Sequence, residues 1–210
     1  ADHDVAQRAA GKIKQSTAKS AGQIEVARAY TDLSEMDLVI ESVVETLDVK
    51  RLVLKKIGEA VSSSTLITSN TSAIPIETLA ASISSPERFC GIHFCHPELM
   101  SLVEVACGPQ SGESTVAAAV KWLRGLRKMP VAINDGPGFV VNRLLATMLD
   151  QALRLYCSGI SIKQIDHALR EFGFLGGPFQ IVDVIGVDTC MYAGRTMWES
   201  GLECVSVSPI

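Results

Sequence analysis

At 210 residues, with 47% hydrophobic and 20% charged residues, the chain has the composition of a globular protein with a packed core, which excludes wholesale disorder. A formal net charge of −4 without any Lys/Arg run excludes a groove that follows a phosphate backbone, and nucleic acid with it. No apolar stretch approaches the roughly 20 residues that span a bilayer, and six cysteines without a C-x-x-C pair read as buried reduced thiols in a cytoplasmic or organelle-matrix setting, with no metal ligand set.

Residues 1–20 carry Ala, Val and Ile at helical spacing and read as a surface helix. The chain has no methionine before Met36 and opens on this helix with no strand before it, so it reads as the continuation of something longer. Residues 37–45 (DLVIESVVE) form a β-branched run of the kind buried on both faces of a parallel sheet. A helix over residues 47–61 follows, with Leu47, Leu54, Ile57 and Val61 as its apolar stripe and Lys50, Arg51, Lys55, Lys56 and Glu59 facing water. Residues 65–70 are a second strand, and Pro75 suits the first turn of a short helix ending near Ser82. Strands over 88–94 and 102–106, a helix over 113–128 and a strand over 130–135 complete an alternation that predicts a largely parallel α/β sheet. Beyond the break at Gly136, Pro137 and Gly138 the pattern is helical. Helices are expected over 139–157, over 161–172 with a Ser161/Gln164 capping box and Gly173 as its stop, and over 179–198 with a break at Gly186. The expected organisation is an α/β domain over 1–134 and a smaller all-helical domain over 135–210.

Chemistry is concentrated in three places. His93 ends one strand and Glu104 lies inside the next, with a turn containing Pro97 between them, so a hairpin-like or crossing arrangement brings carboxylate to imidazole. An imidazole held by a carboxylate on one nitrogen keeps the other free as a general base, and the carboxylate stabilises the imidazolium that forms. Oxidation of a secondary alcohol by a nicotinamide needs this, because the hydroxyl proton must leave as hydride departs. A single His near a strand end is more often a structural residue than a base. Glu104, between Val103 and Val105, must face solvent, a partner or a site, because an unpaired buried carboxylate is costly. SNTSAIP (69–75) follows a buried strand, where open α/β sheets place their ligand crevice, so its polar residues either contact a ligand or cap the short helix. Glu45 sits on the same rim. On an otherwise apolar helix, the Asn142 amide meets a substrate carbonyl or an intramolecular partner.

In order along residues 32–198, the strings DLVIESVVE, SNTS, RFCGIHF, P…LVEV, DGPGFVVNRLL and GGPFQIVDVIGVD are similar to the L-3-hydroxyacyl-CoA dehydrogenase family. That family includes 3-hydroxybutyryl-CoA dehydrogenases and the dehydrogenase part of fatty-acid oxidation complex alpha subunits. The resemblance implies a Rossmann-like domain followed by a helical one, NAD as cofactor, an acyl-CoA substrate and a homodimer through the helical domain. It implies that His93 is the base and Glu104 its orienting carboxylate, and that Ser72 and Asn142 contact substrate. It also implies that Glu45, Lys50, Ser72 and His96 lie in the cofactor pocket. The family's first strand and glycine-rich turn, which hold pyrophosphate, have no counterpart, so the resemblance describes an N-terminally incomplete member. HFCHP puts His96 where the family has Asn, the turn to Glu104 is one residue shorter, and the helical domain is curtailed after Trp198. Two other readings stand beside dehydrogenation of 3-hydroxyacyl-CoA: a catalytically silent acyl-CoA-binding or assembly module, and a dehydrogenase of another 3-hydroxy acid.

Overall fold

The computed structural model describes residues 3–16, 24–96 and 100–202. One sheet contains β1 (Leu38–Glu41), β2 (Leu66–Ser69), β3 (Phe89–His93), β4 (Leu102–Cys107) and β5 (Met129–Asn134), in that spatial order. The helices α1 (His3–Ser16), α2 (Leu47–Ala60), α3 (Ile76–Ala80) and α4 (Glu113–Gly125) accompany it. After the sheet come α5 (Val141–Cys157), α6 (Ile162–Phe172), α7 (Pro178–Ile185) and α8 (Val187–Glu199). The fold is a largely parallel, Rossmann-like sheet followed by helices. Strands β1, β2 and β3 are parallel, β4 is antiparallel to β3, and β5 is parallel to β4. The single reversal follows from chain length, since residues 94–101 are too few for the dozen or so residues that a parallel crossover needs.

Period-two alternation sorts β3 and β4 between two cores. Cys90, Ile92, Val103 and Val105 pack with Ala119 and Leu123 of α4. Phe89 and Ala106 pack on the other side with Leu54 and Ile57 of α2, Ile76 and Leu79 of α3, and Phe139. Gly91 lets α3 lie close on this second face, because a Cβ there would stand 2.7 Å from Ile76 Cδ1. His93 and Glu104 share the parity of Phe89 and Ala106, so both side chains emerge on that same face.

Several boundaries and faces differ from the sequence reading. The run over 37–45 is a strand only as far as Glu41, where pairing with β2 ends at Ser69, and Leu38, Val39 and Ile40 are half-buried instead of fully enclosed. Lys50 does not face water. It stands four residues before Leu54 and seven before Ile57, on the buried stripe of α2, and is 1% exposed. Helix α4 stops at Gly125, and Arg127 takes φ 57° to turn the chain into β5. The cysteines are not uniformly buried: Cys90 is buried, Cys95, Cys107 and Cys190 are half-buried, and Cys157 is exposed. The expectations for residues 1–2 and 17–20, for the Pro97 turn and for the end of the chain from 203 lie outside the described residues. No helix among the described residues is long and apolar enough to cross a membrane.

The junction between sheet and helices is a left-handed corner. Gly138 has φ 69° and Phe139 φ 49°, so α5 begins at Val141 and not at Phe139. Gly138 also donates its N–H to Ala73 O at 3.1 Å, and a Cβ there would fall 2.2 Å from Met197 Sδ of α8. Gly138→Ala therefore meets both a backbone penalty and a displaced Met197. Its expected cost is about 1–3 kcal/mol, read as a thermal midpoint lower by several degrees in differential scanning calorimetry. Further along, the Ser161/Gln164 capping box opens α6 and Gly173, at φ 114°, closes it, as the sequence indicates.

Candidate active site

The β3–β4 register sets His93 directly opposite Glu104, and same-face partners in an antiparallel pair have Cβ atoms about 4.5–5.5 Å apart. His93 Nδ1 and Glu104 Oε2 are 2.8 Å apart. The other carboxylate oxygen, Oε1, accepts the backbone N–H groups of Val140 and Val141, each at 2.9 Å. These belong to the opening of α5, where N–H groups lack helical acceptors. Glu104 thus ties the imidazole to the start of the helical segment. Burial pushes the Glu104 carboxyl up, but the hydrogen bonds from His93, Val141 and Val140 outweigh it and hold the group below its ordinary range. Against a carboxylate, Nδ1 is the donor, which leaves Nε2 as the nitrogen with a free lone pair. Phe139 braces the ring, with centroids 5.8 Å apart. Both members of the pair are enclosed, His93 at 5% and Glu104 at 2% exposure.

The depressed Glu104 value has a consequence for acid stability. Its folded pKa lies below the ordinary glutamate value that the unfolded chain keeps, so its contribution is complete above that ordinary value and is lost as pH falls through the folded one. Glu104→Gln is expected to be less stable near neutrality and to lose less stability between about pH 6 and pH 3 than the unaltered chain. Urea midpoints measured across that range check it, and parallel pH profiles for the two proteins would contradict it.

A second buried group occupies the carboxyl ends of β1 and β2. Glu41 accepts Lys50 Nζ at 2.9 and 3.1 Å, Ser69 Oγ at 2.6 Å and the Val43 N–H at 2.6 Å. Lys50 Nζ also reaches Glu45 Oε2 and Val43 O, both at 3.2 Å. Glu45, whose side chain is 24% exposed, gathers the turn after β2 by accepting the Thr71 hydroxyl, the Ser72 N–H at 2.8 Å and the Ala73 N–H at 3.3 Å. The Ser72 carbonyl in turn accepts Asn142 Nδ2 at 2.7 Å. A continuous polar chain therefore runs from Glu41 through Lys50, Glu45 and Ser72 to Asn142 on α5.

Of the residues singled out from the sequence, His93 and Glu104 form one pair, and Glu45, Lys50, Ser72 and Asn142 form one network. Of the two partners open to Asn142, the structure shows the intramolecular one. Lys50 directs its ammonium at Glu41, Glu45 and Val43 O, so it acts on the rim through Glu45. His96 is half-buried in the turn after β3, its carbonyl accepting the Met100 N–H at 2.9 Å. Two residues were missed. Glu41 is a carboxylate in a β-branched strand, and the argument that marked Glu104 marks it equally. Cys95 reads in the sequence as one more apolar thiol, yet its Sγ lies 3.7 Å from His93 Nδ1 and 4.0 Å from Glu104 Oε2. Burial and the neighbouring Glu104 push that thiol up to about 12.

Polar residues gathered at the carboxyl ends of parallel strands, with a helical segment following, define a Rossmann-like nucleotide-binding domain joined to a helical domain. The chain belongs to the 3-hydroxyacyl-CoA dehydrogenase family, with residues 3–136 matching its NAD binding domain and residues 138–204 its C-terminal domain. NAD is the cofactor of the domain to which residues 3–136 belong. The match begins well ahead of Asp32, where the motifs begin to be readable. The fatty acid oxidation complex subunit alpha of Pseudomonas aeruginosa is 39% identical over 183 residues, 87% of this chain and 26% of that one. This chain therefore spans about a quarter of the length of that relative. Among solved structures, M. tuberculosis FadB2 has a TM-score of 0.88 at 28% identity, covering 100% of this chain and 80% of its own. The (S)-3-hydroxybutyryl-CoA dehydrogenase PaaH1 of Ralstonia eutropha has a TM-score of 0.82 at 32% identity, covering 94% and 74% respectively.

Proposed function

We propose that the chain carries out NAD-dependent oxidation of (3S)-3-hydroxyacyl-CoA to 3-oxoacyl-CoA, with His93 as general base and Glu104 as the carboxylate that fixes it. The observation that carries this reading is the 2.8 Å Nδ1–Oε2 hydrogen bond, with Oε1 anchored by two backbone N–H groups. That arrangement keeps one tautomer and points the unprotonated Nε2 away from the carboxylate, ready to take the hydroxyl proton as the C3–H bond breaks. When bound, NAD supplies the hydride acceptor. Glu45 and Ser72, at the open ends of β1 and β2, would hold it there, with Lys50 acting through Glu45. His96 takes the place of the family's Asn on the cofactor side. Asn142 spends one N–H on Ser72 O and keeps a second N–H and its carbonyl for the thioester end of the substrate.

Two compared proteins are named for fatty acid oxidation and for a 3-hydroxybutyryl-CoA substrate, which favours an acyl-CoA of fatty-acid or butanoate metabolism. We place the domain boundary near residue 134, ahead of the left-handed corner. The exposed Leu144, Leu155, Val187, Met191 and Trp198 of α5 and α8 favour a homodimer through the helices, and a monomer mass by sedimentation equilibrium would remove that part. The decisive test is to mix the protein with NADH and acetoacetyl-CoA and follow NADH absorbance. Consumption is the expected result. A folded protein that binds acetoacetyl-CoA and consumes no NADH would be an acyl-CoA-binding module instead.

A further inference from the structure

We propose that His93 Nδ1, Cys95 Sγ and Glu104 Oε2 form an inhibitory site for a thiophilic divalent cation, Zn2+ being the representative. The three donor atoms lie within 4.8 Å of one another, on residues that are buried, half-buried and buried in turn. Their separations are 3.7 Å from sulfur to nitrogen, 4.0 Å from sulfur to oxygen and 2.8 Å from nitrogen to oxygen. Zinc bonds of about 2.0–2.1 Å to nitrogen, 2.0–2.2 Å to oxygen and 2.3 Å to sulfur put tetrahedral donors roughly 3.3–3.7 Å apart. Both sulfur separations are already within a few tenths of an ångström of that. Only the imidazole and carboxylate must part, by about half an ångström.

The surroundings suit an ion as well. The second oxygen of Glu104 is held by the Val140 and Val141 N–H groups, the outer-shell support that orients a ligating carboxylate. One thiolate and one carboxylate neutralise a dication, so the bound site carries no net charge into an enclosed place. Cys95 is the least buried of the three and provides the side from which the ion enters and on which water completes the fourth position. A thiol, an imidazole and a single carboxylate oxygen select Zn2+ or Cd2+ over Mg2+ or Ca2+, which require oxygen ligands in larger number.

Proton accounting gives the effect. Binding expels the Cys95 thiol proton to solvent, and the metal takes Nδ1 in place of the proton it shares with Glu104, which passes through solvent to Nε2, so the ring stays neutral with its proton on Nε2. The nitrogen that accepts the substrate proton is then a donor, and the base is off. This inhibitory consequence rests on His93 being the base, whereas the binding itself does not.

The test separates the two. Cd2+ is titrated into the protein while the sulfur-to-cadmium charge-transfer absorption is followed, and Zn2+ is competed against a chromophoric chelator, for the unaltered chain, Cys95→Ser and Cys157→Ser. The expected result is one equivalent bound by the unaltered chain and by Cys157→Ser, with the absorption lost and zinc affinity at least tenfold weaker in Cys95→Ser. Equal binding by Cys95→Ser, or none by the unaltered chain, overturns the proposal. NADH consumption is then measured with and without Zn2+, each protein against its own metal-free rate. Zinc is expected to abolish turnover of the unaltered chain, to be reversed by EDTA, and to spare Cys95→Ser. Equal inhibition of both also overturns it. Cys95-dependent cadmium absorption in a protein without turnover upholds the site and removes the reading of His93 as base.

Discussion

His93→Gln is expected to lower the rate of NADH consumption by 10²–10⁴-fold, the range over which a positioned base contributes, while leaving the fold and the affinity for acetoacetyl-CoA nearly unchanged. Glutamine is close in size to histidine, and its amide N–H can replace Nδ1–H as the donor to Glu104 Oε2, so the link from β3 through Glu104 to the opening of α5 survives. What glutamine lacks is a nitrogen lone pair that can accept the substrate proton. Loss should therefore fall on kcat and not on KM, since the interaction removed is made only as the proton moves. Glu104→Gln acts in the same direction by another route. An amide N–H facing Nδ1 favours the tautomer protonated on Nε2, so the ring remains but presents the wrong nitrogen. Stopped-flow rates with both variants check the pair. A His93→Gln protein that keeps more than about a tenth of the rate, against the smallest loss expected of a base, removes His93 from the role.

Much of this site is legible in the chain because strands obey a period of two. In FCGIH and LVEVAC the apolar residues of one parity, Cys90, Ile92, Val103 and Val105, claim one core. His93 and Glu104 are thereby forced onto the opposite face, and a connection too short for a crossover makes them neighbours. The capping box at Ser161 and the stop at Gly173 are local signals and were readable for that reason. Other features depend on partners far away in sequence. β1 shortens because Ser69 is the last residue of β2 available to pair, and the corner at Gly138 and Phe139 depends on Ala73 and Met197. Lys50 was misplaced by its charge, although 47, 50, 54 and 57 form one helical stripe. Charge decides a residue's place only when no counter-charge is within reach, and Glu41, on another element, is invisible to a reading of α2 alone. Asn142 shows the same limit: its amide was recognised as needing a partner, but the partner is a carbonyl that lies 70 residues earlier.

That misplaced lysine carries the other large expectation. Lys50→Met retains the length and apolar stem of the side chain, so packing against α2's neighbours is preserved and only the ammonium is lost. Glu41, with no exposed side-chain surface, is then left with Ser69 Oγ and the Val43 N–H but no cation, and Glu45 loses the same counter-charge. Removing one partner of a buried ion pair costs about 3–5 kcal/mol, chiefly because the other charge stays enclosed. For a chain of this length that corresponds to a thermal midpoint lower by on the order of 10 °C. The double variant Glu41→Gln/Lys50→Met removes the stranded charge and is expected to regain more than half of the loss, since replacing both members of such a pair is far less costly than replacing one. A purely packing-based role for Lys50 predicts the opposite, that the second substitution adds to the damage of the first. The network also extends to the turn over Thr71, Ser72 and Ala73, which Glu45 gathers with Oε1 while its Oε2 meets Lys50. KM for NADH should therefore rise in Lys50→Met and stay raised in the double variant, whose stability returns but whose Glu45 is still unheld. Recovery of KM together with stability would show that Lys50 serves the core alone and that Glu45 keeps its place without it.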